Sequence, residues 1–282
     1  AQPRAIMGSV KFALLLSSIT AAAAKDLEAA KACLETLRTS EFNVATEKAL
    51  ASHPFVAAAE AGTLDFAALK RFAGEQRLIQ PSDAVSFARL AGFDDWTPSP
   101  GGLTDCHKNE APVGEGLFAT LLAGEMAAAP LLNRLSIGVG LDLDPHGLDD
   151  DGEPFVPSPG AQAYGAYWAL LSRDGKRAAA AAAAAVNFPA WGEACRRVRA
   201  GVLKSGAKAD FAAHGVDVVD ALQFLAFFAT PLPDLDDMAA EVIAAEFAKG
   251  GAGANCDALA DPVRMLQAYE LGFWDAVFGG AN

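Results

Sequence analysis

A glutamate falls on the apolar side of a helix near the end of the chain. In "YELGFWDAVF", Glu270 shares its stripe with Leu266, Phe273, Trp274 and Val277, the three-and-four spacing of a single helix face. Burying an ionised carboxylate is costly unless it is paired or takes up a proton. A carboxyl held in that way serves as a general acid or base. A second polar intrusion lies in "TLDFAALKRFAGEQRLIQ". Phe66, Leu69, Phe72 and Ala73 recur at helical intervals, and Gln76 arrives three residues later on the same inward face, with Glu75 beside it. Asn187 and Trp191 stand one turn apart around Pro189. They either reach a cavity together or lie as a surface amide and a packed indole. Arg77, next to Gln76, could pair with Glu270 and turn the polar centre into a structural ion pair.

The elements that must position these groups are helices. Nearly every periodic segment has the helical period, and no β-branched alternation is long enough for a sheet, so the fold class is all-α. The pattern predicts helices over Lys25 to Thr39, Ser40 to Leu50 and Pro54 to Gly62. Asp65 then caps the helix that carries Gln76. Pro81 kinks or ends that helix, with Ala84 to Leu90 continuing. After a long Gly- and Pro-rich loop, Gly92 to Pro112, helices follow over Gly116 to Ile137, Ala161 to Leu171, Ala178 to Leu203, Val216 to Ala229, Leu235 to Lys249 and Pro262 to Phe278. The run of alanines from Ala178 to Ala185 suits a helix at the centre of a bundle, where small side chains let backbones approach. Residues 1–40 read as an apolar arm with a helical extension, and 41–282 as the helical domain.

A formal net charge of -13 and a pI of about 4.7 repel phosphate backbones, which excludes nucleic acid as a partner. The one dense apolar run, Phe12 to Ala24, is about 13 residues, short of the roughly 20 that span a bilayer. Membrane contact is therefore peripheral if it occurs. The run also resembles the core of a secretory signal, and a trimmed organelle transit segment fits as well; a plastid is the expected location, with the secretory pathway or cytoplasm as alternatives. Cys33, Cys106, Cys195 and Cys256 contain no C-x-x-C, which argues against a zinc ribbon and leaves the redox compartment open. His53, His107, His146 and His214 show no metal-ligand pairing, so neither metal nor cofactor is expected. The Asp-x-Asp spacing within Leu141 to Gly160 hints at calcium, but no glutamate occupies the twelfth loop position, and a solvated acidic loop is the expectation.

Three segments, "HPFVAAAEAGTLDFAALKRFAGEQ", "PSPGAQAYGAYWALL" and "AYELGFWDAVF", resemble in that order the TenA family, thiaminase II and its relatives. The resemblance implies a heme-oxygenase-like bundle around one enclosed pocket, a ligand of the aminopyrimidine class, and hydrolysis of a C–N bond. It places the family's glutamate on Glu270 and its aspartate on Gln76, with Glu75 one residue early. The nucleophilic cysteine falls on or beside Asn187. Aromatic positions fall on Tyr164, Trp191, Phe228 and Ile79. The chain is thus similar in style to the eukaryotic branch that lacks the cysteine. Cys195 is two turns from Asn187, roughly 12 Å along the axis, too far to replace it.

Two functions follow as expectations. One is a non-catalytic binding or assembly protein, a scaffold or linker with an altered site, docking on a partner through the arm and the long loops, for instance as a peripheral subunit of a plastid membrane complex. The other is a divergent aminopyrimidine hydrolase of thiamin salvage with Glu270 as acid or base. The pocket would then be formed by Gln76, Glu75, Tyr164, Asn187, Trp191, Phe228 and Trp274. The family also implies a homo-oligomer.

Overall fold

The computed structural model describes residues 24–98, 103, 114–142, 152–250 and 255–279. The apolar run before Ala24, most of the Gly92 to Pro112 loop and the middle of the acidic loop, with its Asp-x-Asp spacing, lie outside the described residues. Every regular element described is a helix. Helix α1 covers 24–39 and α2 covers Glu41–Ala51, α3 Pro54–Glu60, α4 Phe66–Ala91, α5 Leu117–Gly138 and α6 Pro159–Arg173. Helix α7 runs Arg177–Lys204, α8 Lys208–Ala213, α9 Val218–Ala221, α10 Gln223–Phe228, α11 Leu235–Lys249 and α12 Asp257–Gly279. The starts are fixed by local chemistry. The side chains of Ser40, Asp65 and Ser158 accept hydrogen bonds from backbone N–H groups two or three residues on, which satisfies donors that a helix start leaves bare. Pro54 and Pro159 occupy first-turn positions, where their missing N–H costs nothing.

Helix α7 is central. All eight alanines from Ala178 to Ala185 are buried, so α11 and α12 pack closely against its backbone. One half of the core surrounds this tract and takes in Ala30, Cys33, Leu34 and Leu37 of α1. The other half is aromatic, built on Phe55, Phe72, Phe224, Phe273 and Trp274. Tyr164 touches both.

Two prolines inside long helices do not end them. Helix α4 continues unbroken through Pro81 to Ala91, which corrects the reading in which Pro81 ends it; the helix loses only the bond to the Arg77 carbonyl. Helix α7 likewise runs through Pro189, leaving the Ala185 carbonyl without its helical donor. Arg38 of α1 supplies one instead: its Nη2 donates to Ala185 O at 2.8 Å while the guanidinium grips the Asp236 carboxylate. The expected helix from Val216 to Ala229 is two short helices meeting at Leu222, and α8 is an additional turn that periodicity did not show. Cys33 and Cys256 form a disulfide, with Cα atoms 5.4 Å apart.

Gly201 marks the tightest helix contact. A Cβ there would collide with the Ala59 carbonyl of α3, a rigid backbone group. Gly201→Ala is expected to destabilise the fold by about 1–3 kcal/mol, the usual penalty of overpacking. Urea denaturation of the two proteins reads that loss directly.

Candidate active site

Helices α4, α5, α6, α7, α10 and α12 enclose a cavity of about 930 Å³. Glu270 enters it from α12 and is fully buried. Its two oxygens each receive one donor: Trp274 Nε1 donates to Oε1 at 3.2 Å, and Asn187 Nδ2 donates to Oε2. The Asn187 Oδ1 accepts in turn from the Tyr164 hydroxyl at 3.1 Å. Burial raises the Glu270 pKa to about 7, against the pull of the Trp274 and Asn187 donors, which favour the ionised form. The carboxyl is therefore poised to exchange a proton near neutral pH, the condition a general acid or base needs. Burial holds the Tyr164 hydroxyl well above its ordinary range, and the nearby Glu270 charge adds to that. It is a proton donor in this arrangement.

Aromatic rings form the wall next to Glu270. Trp191 of α7 and Phe228 of α10 meet edge to face with centroids 6.2 Å apart, and Trp191 packs on Phe273 at 5.7 Å. Such faces suit a flat heteroaromatic ring. Gln76 reaches the wall from α4, as expected from its place on the inward stripe.

Four expected placements differ. Glu75 does not face the cavity. Its side chain lies about 100° around the helix from Gln76, where it accepts from Ser158 N at 2.7 Å and from the Gln162 amide, and so anchors the start of α6. Trp274 stands behind Glu270 rather than in the cavity wall, as a positioning donor. Asn187 is fully buried and spends its amide on Tyr164 and Glu270, so it orients the acid instead of meeting a ligand. Arg77 does not pair with Glu270; its guanidinium donates to the Asp142 carbonyl. Cys195 is buried in the aromatic half of the core, outside the cavity wall. Burial first and the Glu270 charge second push its thiol well up, which keeps it from acting as a thiolate.

The cavity groups that were not expected include Gln80, Asp83 and Glu125. Gln76, Gln80 and Asp83 follow at spacings of four and three along α4, so one face stays polar across Pro81. Burial raises Glu125 to about 8. Burial, then the Glu125 charge, drive Asp83 well above the carboxylate range. Among the described residues, no cluster of His, Cys, Asp and Glu is arranged to hold a metal ion, and no helix is long and apolar enough to cross a membrane.

An all-α bundle closing on one cavity is the heme-oxygenase-like architecture. Residues 44–209 match the TENA/THI-4/PQQC family, and the chain belongs to that family. The match includes Gln76, Asp83, Tyr164 and Asn187 and ends before Glu270, which reaches the site because α12 packs back on α6 and α7. Among solved structures the chain is similar to the "TenA homologue protein from P.horikoshii OT3", with a TM-score of 0.53 and 17% identity over 88% of this chain and 99% of that one. At that identity the likeness is one of fold. No curated protein matches the sequence.

Proposed function

We propose that this protein is an acid–base hydrolase that cleaves a C–N bond on a small aminopyrimidine-like substrate, in the manner of a thiamin-salvage enzyme that works without a thiol. The observation that carries this reading is the fully buried Glu270 at the wall of an open hollow, with its proton affinity set near neutral. A ring lies against the wall that Trp191 and Phe228 form, with its amine-bearing carbon toward Glu270. The carboxylate takes a proton from water as the water oxygen bonds to that carbon. The C–N bond breaks, the proton passes to the departing nitrogen, and Glu270 returns to its starting state. One amine and one water yield one alcohol and one ammonia, with no oxidant or reductant. Asn187 and Trp274 keep the carboxyl aimed, and Tyr164, by donating to Asn187 Oδ1, keeps the amide turned with its Nδ2 toward Glu270.

An assembly role is supported by different features: the N-terminal apolar arm and the long loops, which lie outside the described residues, would dock on a protein partner, in the plastid case at a membrane complex. The Cys33–Cys256 bond supports an oxidising compartment. What favours the hydrolase is the volume of the hollow, since a protein used only as a scaffold has no need to keep buried carboxyls around an unfilled space. The deciding experiment incubates the purified chain with a 4-aminopyrimidine bearing a 5-aminomethyl arm, following ammonia release and thermal stabilisation together. Ammonia above the buffer rate is expected. Neither stabilisation nor ammonia would leave the assembly role as the better account.

A further inference from the structure

The cavity contains a second acidic centre that the proposed chemistry does not use. Asp83 projects into it from α4 and is only 6% exposed, yet its Oδ1 has no hydrogen-bond partner. A buried, unpartnered carboxyl oxygen is expensive, and native proteins keep few of them without a reason. Glu125 of α5 lines the same cavity, and its charge adds to the burial that raises the proton affinity of Asp83. Gln80 ties the helices together here, its Nε2 donating to the Glu125 carbonyl at 3.2 Å, which fixes α5 against α4. The Oδ1 packs toward Gly165 of α6, where a Cβ would come within 3.3 Å of it, so the glycine makes room for the carboxyl without giving it a donor.

No Lys or Arg contributes to the perturbation of either carboxyl. The arginine in the wall, Arg196, is bound to Glu193 at 2.6 Å. Asp83 lies two turns beyond Gln76, about 10 Å along α4, and Tyr164 feels the charges of Glu270, Asp83 and Glu125 alike. A hollow of about 930 Å³ stands at the upper end of the roughly 300–1,000 Å³ that ligand pockets occupy. A single ring at the Trp191 wall does not fill it. What the remaining space lacks is a free positive group for the two carboxyls that line it.

We infer that Asp83 and Glu125 form a second binding subsite for a cationic amino or amidino group, carried on an arm of the ligand that extends from the aromatic wall past Gln80. This rests on reading the hollow as a small-molecule site but not on turnover there. An ammonium or amidinium presents several N–H donors, which serve the Asp83 and Glu125 carboxyls together and hold both ionised. Hydrogen bonds to charged groups are strong enough to discriminate a cation from its neutral isostere by tenfold or more.

The test uses calorimetric titration with 3-phenylpropylammonium and with 3-phenylpropanol, which differ in the charged head alone. The wild-type protein is expected to bind the ammonium at least tenfold more tightly than the alcohol. In Asp83→Asn and in Glu125→Gln that ratio is expected to fall to within threefold of unity, with thermal melting showing that both variants remain folded. In Glu270→Gln it is expected to persist. A ratio near one in the wild type, including failure of both probes to bind, overturns the inference, as does a preference lost in Glu270→Gln and retained in Asp83→Asn. If the aminopyrimidine releases no ammonia while the cation preference follows Asp83 and Glu125, the hydrolase reading fails and the subsite stands.

Discussion

Replacing Glu270 with glutamine is expected to lower ammonia release by at least a hundredfold, with the loss in kcat rather than in KM. Removal of a positioned acid or base typically costs a factor of about 10² to 10⁴, and Glu270 is the carboxyl that the Asn187 and Trp274 donors hold in place. Glutamine has nearly the same shape, so the aromatic wall and the binding of the ring remain. It offers a single acceptor oxygen to two donors, which leaves one of them short and costs about 1–3 kcal/mol. Loss of the buried charge offsets part of that, so the variant is expected to fold. The pH dependence separates chemistry from packing. Burial raises the wild-type carboxyl to about 7. The protonated form therefore prevails below that pH and the carboxylate above it. A base acting on water requires the carboxylate, so kcat/KM is expected to rise with pH through about 7 and then level off. In Glu270→Gln that rise is absent. Stopped assays between pH 5 and 9 on both proteins distinguish the two profiles. Activity in the variant within a few fold of wild type would remove Glu270 from the mechanism.

What the sequence made legible was whatever the 3.6-residue period carries. The stripe of α12 put Glu270 inside with Phe273 and Trp274, and the stripe of α4 put Gln76 inside, because burial of one helix face is decided by composition close in sequence. Tyr164, Trp191 and Phe228 also line the cavity, but it was the family resemblance rather than the period that pointed to them as a set. What stayed hidden was the choice of partner across helices. Nothing in the local pattern says that the Asn187 amide is consumed by Tyr164 and Glu270, or that Glu75 turns to Ser158. Asp83 was concealed by Pro81. With the helix kinked or ended there and resuming at Ala84, Asp83 falls between the two segments, and only an uninterrupted α4 puts it on the face of Gln76 and Gln80. The proline is tolerated because one missing ladder bond costs less than the packing of α4 against α5 and α6 returns.

The Cys33–Cys256 bond is the clearest case of long-range information absent from spacing, and it leads to the second large expectation. The two residues are 223 positions apart and meet because α1 lies in the alanine-rich half of the core beside the start of α12. Their Cα separation of 5.4 Å is within the range a bridge requires. Closing so long a loop restricts the unfolded chain strongly. In the chain-entropy account a loop of this length contributes about 5 kcal/mol, an upper figure because an unfolded chain retains structure. Reduction, or the double replacement Cys33→Ala with Cys256→Ala, is expected to lower the unfolding free energy toward that amount. Urea denaturation with and without reductant measures it, and the double variant should not respond to reductant. A wild-type midpoint unmoved by reductant would mean the bond contributes nothing. The folded state itself should change little. Helix α1 keeps Arg38 on Asp236 and on the Ala185 carbonyl, and Lys31 on Asp237 at 2.8 Å. Glu270 lies about four turns further along α12, beyond the reach of fraying at its first turn. The reduced protein is therefore expected to retain its pH profile and activity at low temperature and to lose both together when it unfolds.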